Sequence, residues 1–149
     1  MKVFLDTNVL VSAMATRGLC SDVLREVLTS HQLVVSAPLF AEMKRALRQK
    51  LRIPADLIEG TIEILQQDAL FATPSTSPDV DIRDKDDLII LSSALNGKAD
   101  LFVTGDQELL NLGKVGDVQI ISPRGFWEKV QVQLPCEPTA FGAGMPAFR

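Results

Sequence analysis

Apolar runs too short to make helices, each leading into a polar residue that can start one, recur along this chain: Val3-Phe4-Leu5 before Asp6, Leu33-Val34-Val35 before Ser36, and Leu101-Phe102-Val103 before Thr104. Unbroken apolar runs of this length fit strands covered on both faces, as in a parallel sheet. Between them, apolar residues return at helical spacing: Val23, Leu24, Val27 and Leu28 after a capping Ser21; Leu39, Phe40, Met43 and Leu47 after Pro38; Leu57, Ile58, Ile62 and Leu65 after Pro54. The alternation predicts an α/β domain with a mainly parallel sheet and right-handed crossovers. In open sheets of this kind ligands bind beyond the carboxyl ends of the strands, which is where Asp6 stands.

The helix after Pro54 is expected to run to about Ala69, and Leu70 to Thr73 to make a brief edge strand before a Ser/Thr/Pro-rich loop. Leu88 to Leu95 fits a strand or a helix. A helix is assigned because Asp84 can cap it, the acids before it suit the positive helix end, and Asn96-Gly97 supplies a left-handed stop. Val118 to Ile121 reads as the last strand, and Ser122-Pro123 opens a final helix with Phe126 and Trp127 as packing residues. From Gln131 the periodicity is lost among Pro135, Pro138, Gly142, Gly144 and Pro146. The expected organisation is a domain over residues 1–130 and a tail over 131–149, irregular or draped over the domain or a partner. No internal repeat is present.

A chain of 149 residues with 46% hydrophobic content can bury one ordinary core. No apolar run approaches the roughly 20 residues that span a bilayer, and an acid arrives at position 6, before a signal-peptide core could form. A cytoplasmic protein without membrane association is expected. Cys20 and Cys136 lack a metal-like spacing, and the single histidine, His31, reads as a solvated loop residue. A net charge of −4 disfavours a broad basic surface for nucleic acid. The chemistry left to the chain is that of carboxylates.

Asp6, Glu42 on the helix after Ser36, Asp87 at the start of a long helix and Asp106 after the Leu101 strand can all reach the same sheet edge. Singly each has a structural reading: Asp6 and Asp106 as helix caps, Asp87 as a first-turn acid, Glu42 as an exposed helix residue. Together, crowded carboxylates need raised pKa values or a cation, and oxygen-only ligation points to Mg2+ or Mn2+. Such an ion polarises a phosphoryl oxygen and activates water, so phosphodiester hydrolysis is the natural reaction.

These residues resemble the PIN-domain family of metal-dependent ribonucleases, particularly the VapC-like toxins of bacterial toxin-antitoxin pairs. The resemblance covers roughly Met1 to Val130 and rests on Asp6-Thr7-Asn8, on Ser36 through Glu42, on Asp87-Leu88-Ile89 with Ala94, and on Thr104-Gly105-Asp106 with Leu109. It implies a three-layer α/β/α sandwich, Mg2+ or Mn2+ held by catalytic Asp6, Glu42, Asp87 and Asp106, polar support from Asn8 and Thr104, an RNA substrate, a homodimer, and a small antitoxin that blocks the cleft. Asp84 and Asp86 stand close to the third position, and a register one turn earlier would exchange Asp84 for Asp87.

The basic cluster of Lys44, Arg45, Arg48, Lys50 and Arg52 can neutralise an RNA backbone beside the acids or serve as a solvated helix face. Two other readings remain. A phosphoacceptor signalling domain would need paired acids after the first strand and a lysine after the last, whereas this chain has Asp6 alone and Ser122. A PIN fold kept as a binding module would need no catalysis.

Overall fold

The computed structural model describes residues 1–74, 82 and 85–133. In chain order the elements are β1 (Lys2–Leu5), α1 (Thr7–Ala15), α2 (Leu19–Ser30), β2 (Gln32–Ser36), α3 (Ala37–Gln49), α4 (Ala55–Gln66), β3 (Leu70–Ala72), α5 (Lys85–Asn96), β4 (Leu101–Val103), α6 (Gln107–Leu110), β5 (Lys114–Val115), β6 (Val118–Ile121) and α7 (Pro123–Gln133). The strands form one sheet in the order β3-β2-β1-β4-β6-β5, parallel except for the short β5. β1 and β4, the central pair, are in register with Phe4 opposite Phe102, and their rings stack 5.4 Å apart.

Topology explains the layers. The chain steps from β1 to β2 to β3 in one direction and then returns across the sheet to β4. Right-handed crossovers place the helices of the outward steps on one face and α5, on the return, on the other. The central strands are correspondingly apolar on both sides, with Val3, Phe4, Leu5, Val34, Val35, Phe102 and Val103 all fully enclosed. This is an α/β sandwich around a mainly parallel sheet.

The expected inward residues of α3, namely Leu39, Phe40, Met43 and Leu47, are all buried, and Ser36 caps the helix by accepting from the Leu39 N–H. Phe126 in α7 is buried, and Trp127 packs partly against the core.

Several expectations need correction. The chain enters α1 immediately after Asp6, ahead of the helix placed after Ser21, and α2 starts from Gly18, so Ser21 lies within its first turn and caps nothing. Leu28 and Leu57 point outward, because the buried stripes run through Val23, Leu24 and Val27 and through Ile58, Ile62 and Leu65. α4 ends at Gln66. The left-handed residue after α5 is Lys98 (φ 56°), not Gly97. Gly97 is needed for close approach instead: a Cβ there would lie 2.8 Å from the Ala72 Cβ and 2.9 Å from a Val34 methyl. His31 is not solvated; its side chain is 12% exposed, 3.5 Å from Glu26 and edge-on to Phe126. The β5–β6 hairpin was not expected. The capping role assigned to Asp84 falls outside the described residues.

Candidate functional site

Asp6 ends β1 and begins α1. Its backbone N–H still donates to the Val103 carbonyl of β4, while its side chain caps α1 by accepting from the Thr7 N–H at 2.8 Å. The cap occupies one carboxylate oxygen. The other accepts from the Thr104 hydroxyl at 2.7 Å and, at a longer 3.4 Å, from the Asn8 amide. Thr104 Oγ1 in turn accepts from the Asp106 N–H at 3.0 Å, and Asn8 Oδ1 accepts from the Gly105 N–H at 3.3 Å. Asp106 caps α6 by accepting from the Glu108 N–H. The ends of β1 and β4 are therefore laced together by Asn8 and Thr104, both picked out from the sequence as supports.

A cleft of about 350 Å³ opens above this junction. Asp6, Thr7, Asn8 and Ser12 line it from the β1–α1 side, Glu42, Arg45 and Gln49 from α3, and Asp87 from α5. Of the expected acids the structure brings Asp6, Glu42 and Asp87 to one cavity. Asp106 is not on its lining, but it lies close enough to act electrostatically on Asp6. Asp86 borders a neighbouring depression rather than the main cleft, which favours Asp87 for the third position. Asp84 lies outside the described residues. Arg45 and Arg48, with Lys44 and Gln49, border a groove adjoining the cleft, and Lys44 also pairs with Glu59 of α4 at 3.5 Å.

Asp6 is 3% exposed, and burial pushes its carboxyl up from 3.8 to about 6. The hydrogen bonds from Thr104 and Thr7 oppose that rise, whereas the carboxylates of Glu42 and Asp106 add to it. Thr7 supplies a second signal. Its hydroxyl is buried on the cleft wall and finds no hydrogen-bond partner among the described residues. A buried acid with acidic neighbours and an orphaned hydroxyl on one wall suit an oxygen-coordinated hydrated cation, and no histidine or cysteine lines the cleft to favour a softer one. The acids face the cleft without closing into a shell: among the described residues no three His, Cys, Asp or Glu side chains are gathered as a ready metal site.

Thr7, Ser12 and Gln49 were not singled out from the sequence. Helical spacing could have found two of them. Ser12 stands four residues after Asn8 in α1, and Gln49 seven after Glu42 in α3, so each continues the cleft-facing stripe of its helix.

Comparison with known proteins accords with this architecture. Residues 2–108 match the family model of the PIN domain. No curated protein matches the chain. A chain of VapBC2 from Rickettsia felis, solved bound to a DNA fragment from its promoter, is 15% identical with a TM-score of 0.59, the match covering 82% of this chain and 98% of that one. A chain of VapBC-1 from nontypeable Haemophilus influenzae is 20% identical with a TM-score of 0.59, covering 83% and 99%. One from FitAB bound to an IR36 DNA fragment is 19% identical with a TM-score of 0.56, covering 81% and 94%. These similarities are of fold. With the family model spanning residues 2–108, the chain belongs to the PIN-domain family.

Proposed function

We propose that this chain is a divalent-metal-dependent endoribonuclease and the toxin of a toxin-antitoxin pair. The observation that carries the reading is the convergence of Asp6, Glu42 and Asp87, from three separate stretches of sequence, on one cleft walled by Arg45. In this reading Asp6, Glu42, Asp87 and Asp106 hold Mg2+ or Mn2+, which when bound polarises the phosphoryl oxygen and activates water. Asn8 and Thr104 fix the direction of the Asp6 carboxylate. Arg45, Lys44 and Arg48 hold the RNA backbone beside the acids through phosphate contacts that carry no sequence information.

The toxin assignment draws on the likeness to chains of VapBC and FitAB; a small antitoxin partner and a homodimer are part of the proposal. No helix among the described residues is long and apolar enough to cross a membrane, and a cytoplasmic site of action is part of the proposal. Residues 1–130 form the nuclease unit and 131–149 an appended tail, except that α7 carries the unit on to Gln133. The deciding experiment is cleavage of a fluorogenic single-stranded RNA by the purified chain with and without Mn2+. Cleavage that needs the ion and is lost in Asp6→Asn supports the reading. Binding of RNA with no turnover under any divalent ion would favour a binding module instead.

A further inference from the structure

Beside the acidic cleft lies a smaller depression of about 190 Å³, walled by Pro38 and Ala41 of α3 and by Ile89 and Ile90 of α5, with Glu42, Arg45 and Asp86 on its rim. Glu42 and Arg45 border both spaces, so the two are contiguous. Ile89 is 41% exposed although Ile90 and Leu91 beside it are buried. A single exposed apolar side chain is ordinary. Here it completes a concave apolar wall one side chain away from a cluster of acids and an arginine. Arg45 borders the basic groove as well, and therefore stands where acidic cleft, basic groove and apolar pocket meet.

We propose that the pocket formed by Pro38, Ala41 and Ile89 is a nucleobase subsite, receiving the base attached to the phosphate that Glu42 and Arg45 face; this rests on the RNA-directed reading above. A nucleotide joins an anionic link to a flat, largely apolar ring, and a protein that holds one needs a cation and an apolar wall within a nucleotide's reach. Apolar side chains serve as such walls for unstacked bases. The rim adds a preference. A carboxylate has about four acceptor sites, so Asp86 can take a hydrogen bond from a base beside the interaction it already has. Cytosine presents an amino donor where uracil, like thymine, presents a carbonyl acceptor. With the 4-position of the pyrimidine toward Asp86, the pocket favours cytosine over uracil. A side chain from a protein partner is the competing occupant.

The test uses the full chain carrying Asp6→Asn, which blocks turnover, titrated with fluorescently labelled oligocytidylate and oligouridylate and read by anisotropy. Oligocytidylate binds about fivefold more tightly, the worth of one hydrogen bond to a charged group at a partly exposed site. Adding Asp86→Asn removes the discrimination, because an amide can serve either base. Adding Ile89→Ala weakens oligocytidylate by about threefold without changing the melting temperature, since Ile89 is not part of the core. Equal affinity for the two oligomers, no binding of either, or indifference to both added substitutions overturns the subsite. Wild-type cleavage separates the two proposals: ion-dependent cleavage without base discrimination removes the subsite and leaves the nuclease, whereas discrimination without cleavage leaves the subsite on an RNA-binding module.

Discussion

On the sheet side of the cleft, Asp6 is held by Thr7, Asn8 and Thr104, and Thr104 passes the tie on to Asp106. On the helix side, Glu42 and Arg45 face the same space, and neither side chain has a hydrogen bond or ion pair to a described residue. The difference follows from where each group sits. Asp6 and Thr104 are at strand ends, where the parallel pairing of β1 with β4 fixes their separation and brings backbone donors within reach. Glu42, half-buried, and Arg45, exposed, face the cleft from α3, away from any strand end that could hold them. One wall is preorganised by the fold, and the other takes its order from what binds.

Asp6→Asn is the most severe way to break this arrangement. Cleavage is expected to fall to background, while the metal-free fold becomes more stable at neutral pH. A carboxyl whose folded value is about 6 against an ordinary 3.8 binds its proton more tightly in the native state. Its contribution to stability is therefore complete below pH 4 and lost as pH rises through 6, amounting to roughly 3 kcal/mol at pH 7. Asparagine carries no such loss. Thermal melts of wild type and variant without divalent ions should coincide near pH 4 and separate in favour of the variant by pH 7. Equal melting temperatures across that range would show that Asp6 is not destabilised by burial.

Thr104→Val attacks the lacing rather than the acid. The isosteric change removes the donor to Asp6 and the acceptor for the Asp106 N–H from a fully buried position. The expected cost is about 2 kcal/mol of stability, measured by urea denaturation, and a loss of roughly tenfold to a hundredfold in cleavage rate, as for other supports of a ligating group. Thr104→Ser keeps both hydrogen bonds and should restore most of the activity. Outside the cleft, Gly97→Ala presses a methyl against Ala72 and Val34 just past the end of α5, with an expected cost of about 1–2 kcal/mol by the same measurement.

The contrast between the two walls also separates what could be read from the sequence. The strand ends of the site were legible because short apolar runs end abruptly at Asp6 and Thr104, and polar residues that can cap helices mark the sheet edge. The cap of α1 at Asp6 was legible but its extent was not, because Val9, Leu10 and Val11 follow in succession with a weak apolar periodicity. The lacing of Asn8 to Gly105 and of Thr104 to Asp6 depends on residues about a hundred positions apart meeting in three dimensions, which no local pattern carries. Leu57 was placed inward because it adjoins the true stripe of Ile58, Ile62 and Leu65, and the helix has to be seen docked before the register is fixed. The hairpin of β5 escaped because two residues are too few for any period to register.

A ligand for the unlaced wall should stabilise the native state only. Millimolar Mg2+ or Mn2+ is expected to raise the melting temperature by a few degrees, equivalent to about 1–2 kcal/mol at concentrations several times the dissociation constant. The increment should vanish in Asp6→Asn and shrink in Glu42→Gln. A shift of the same size in both variants and wild type would mean that the ion acts elsewhere on an acidic chain.

The smallest expected effect belongs to Arg45. It is exposed and competes with bulk salt for any phosphate it meets, so Arg45→Gln should raise the KM for RNA by only about threefold at physiological ionic strength. The informative quantity is the salt dependence. Removing one phosphate contact to a single strand lowers the slope of log affinity against log salt by about 0.7. Arg48→Gln in the adjoining groove should do the same with kcat unchanged. Arg45, which faces the acids as well as the groove, should also lower kcat if the phosphate it holds is the one cleaved. Identical behaviour of the two variants would place Arg45 with the groove and leave Lys50 as the cation of the cleft lining.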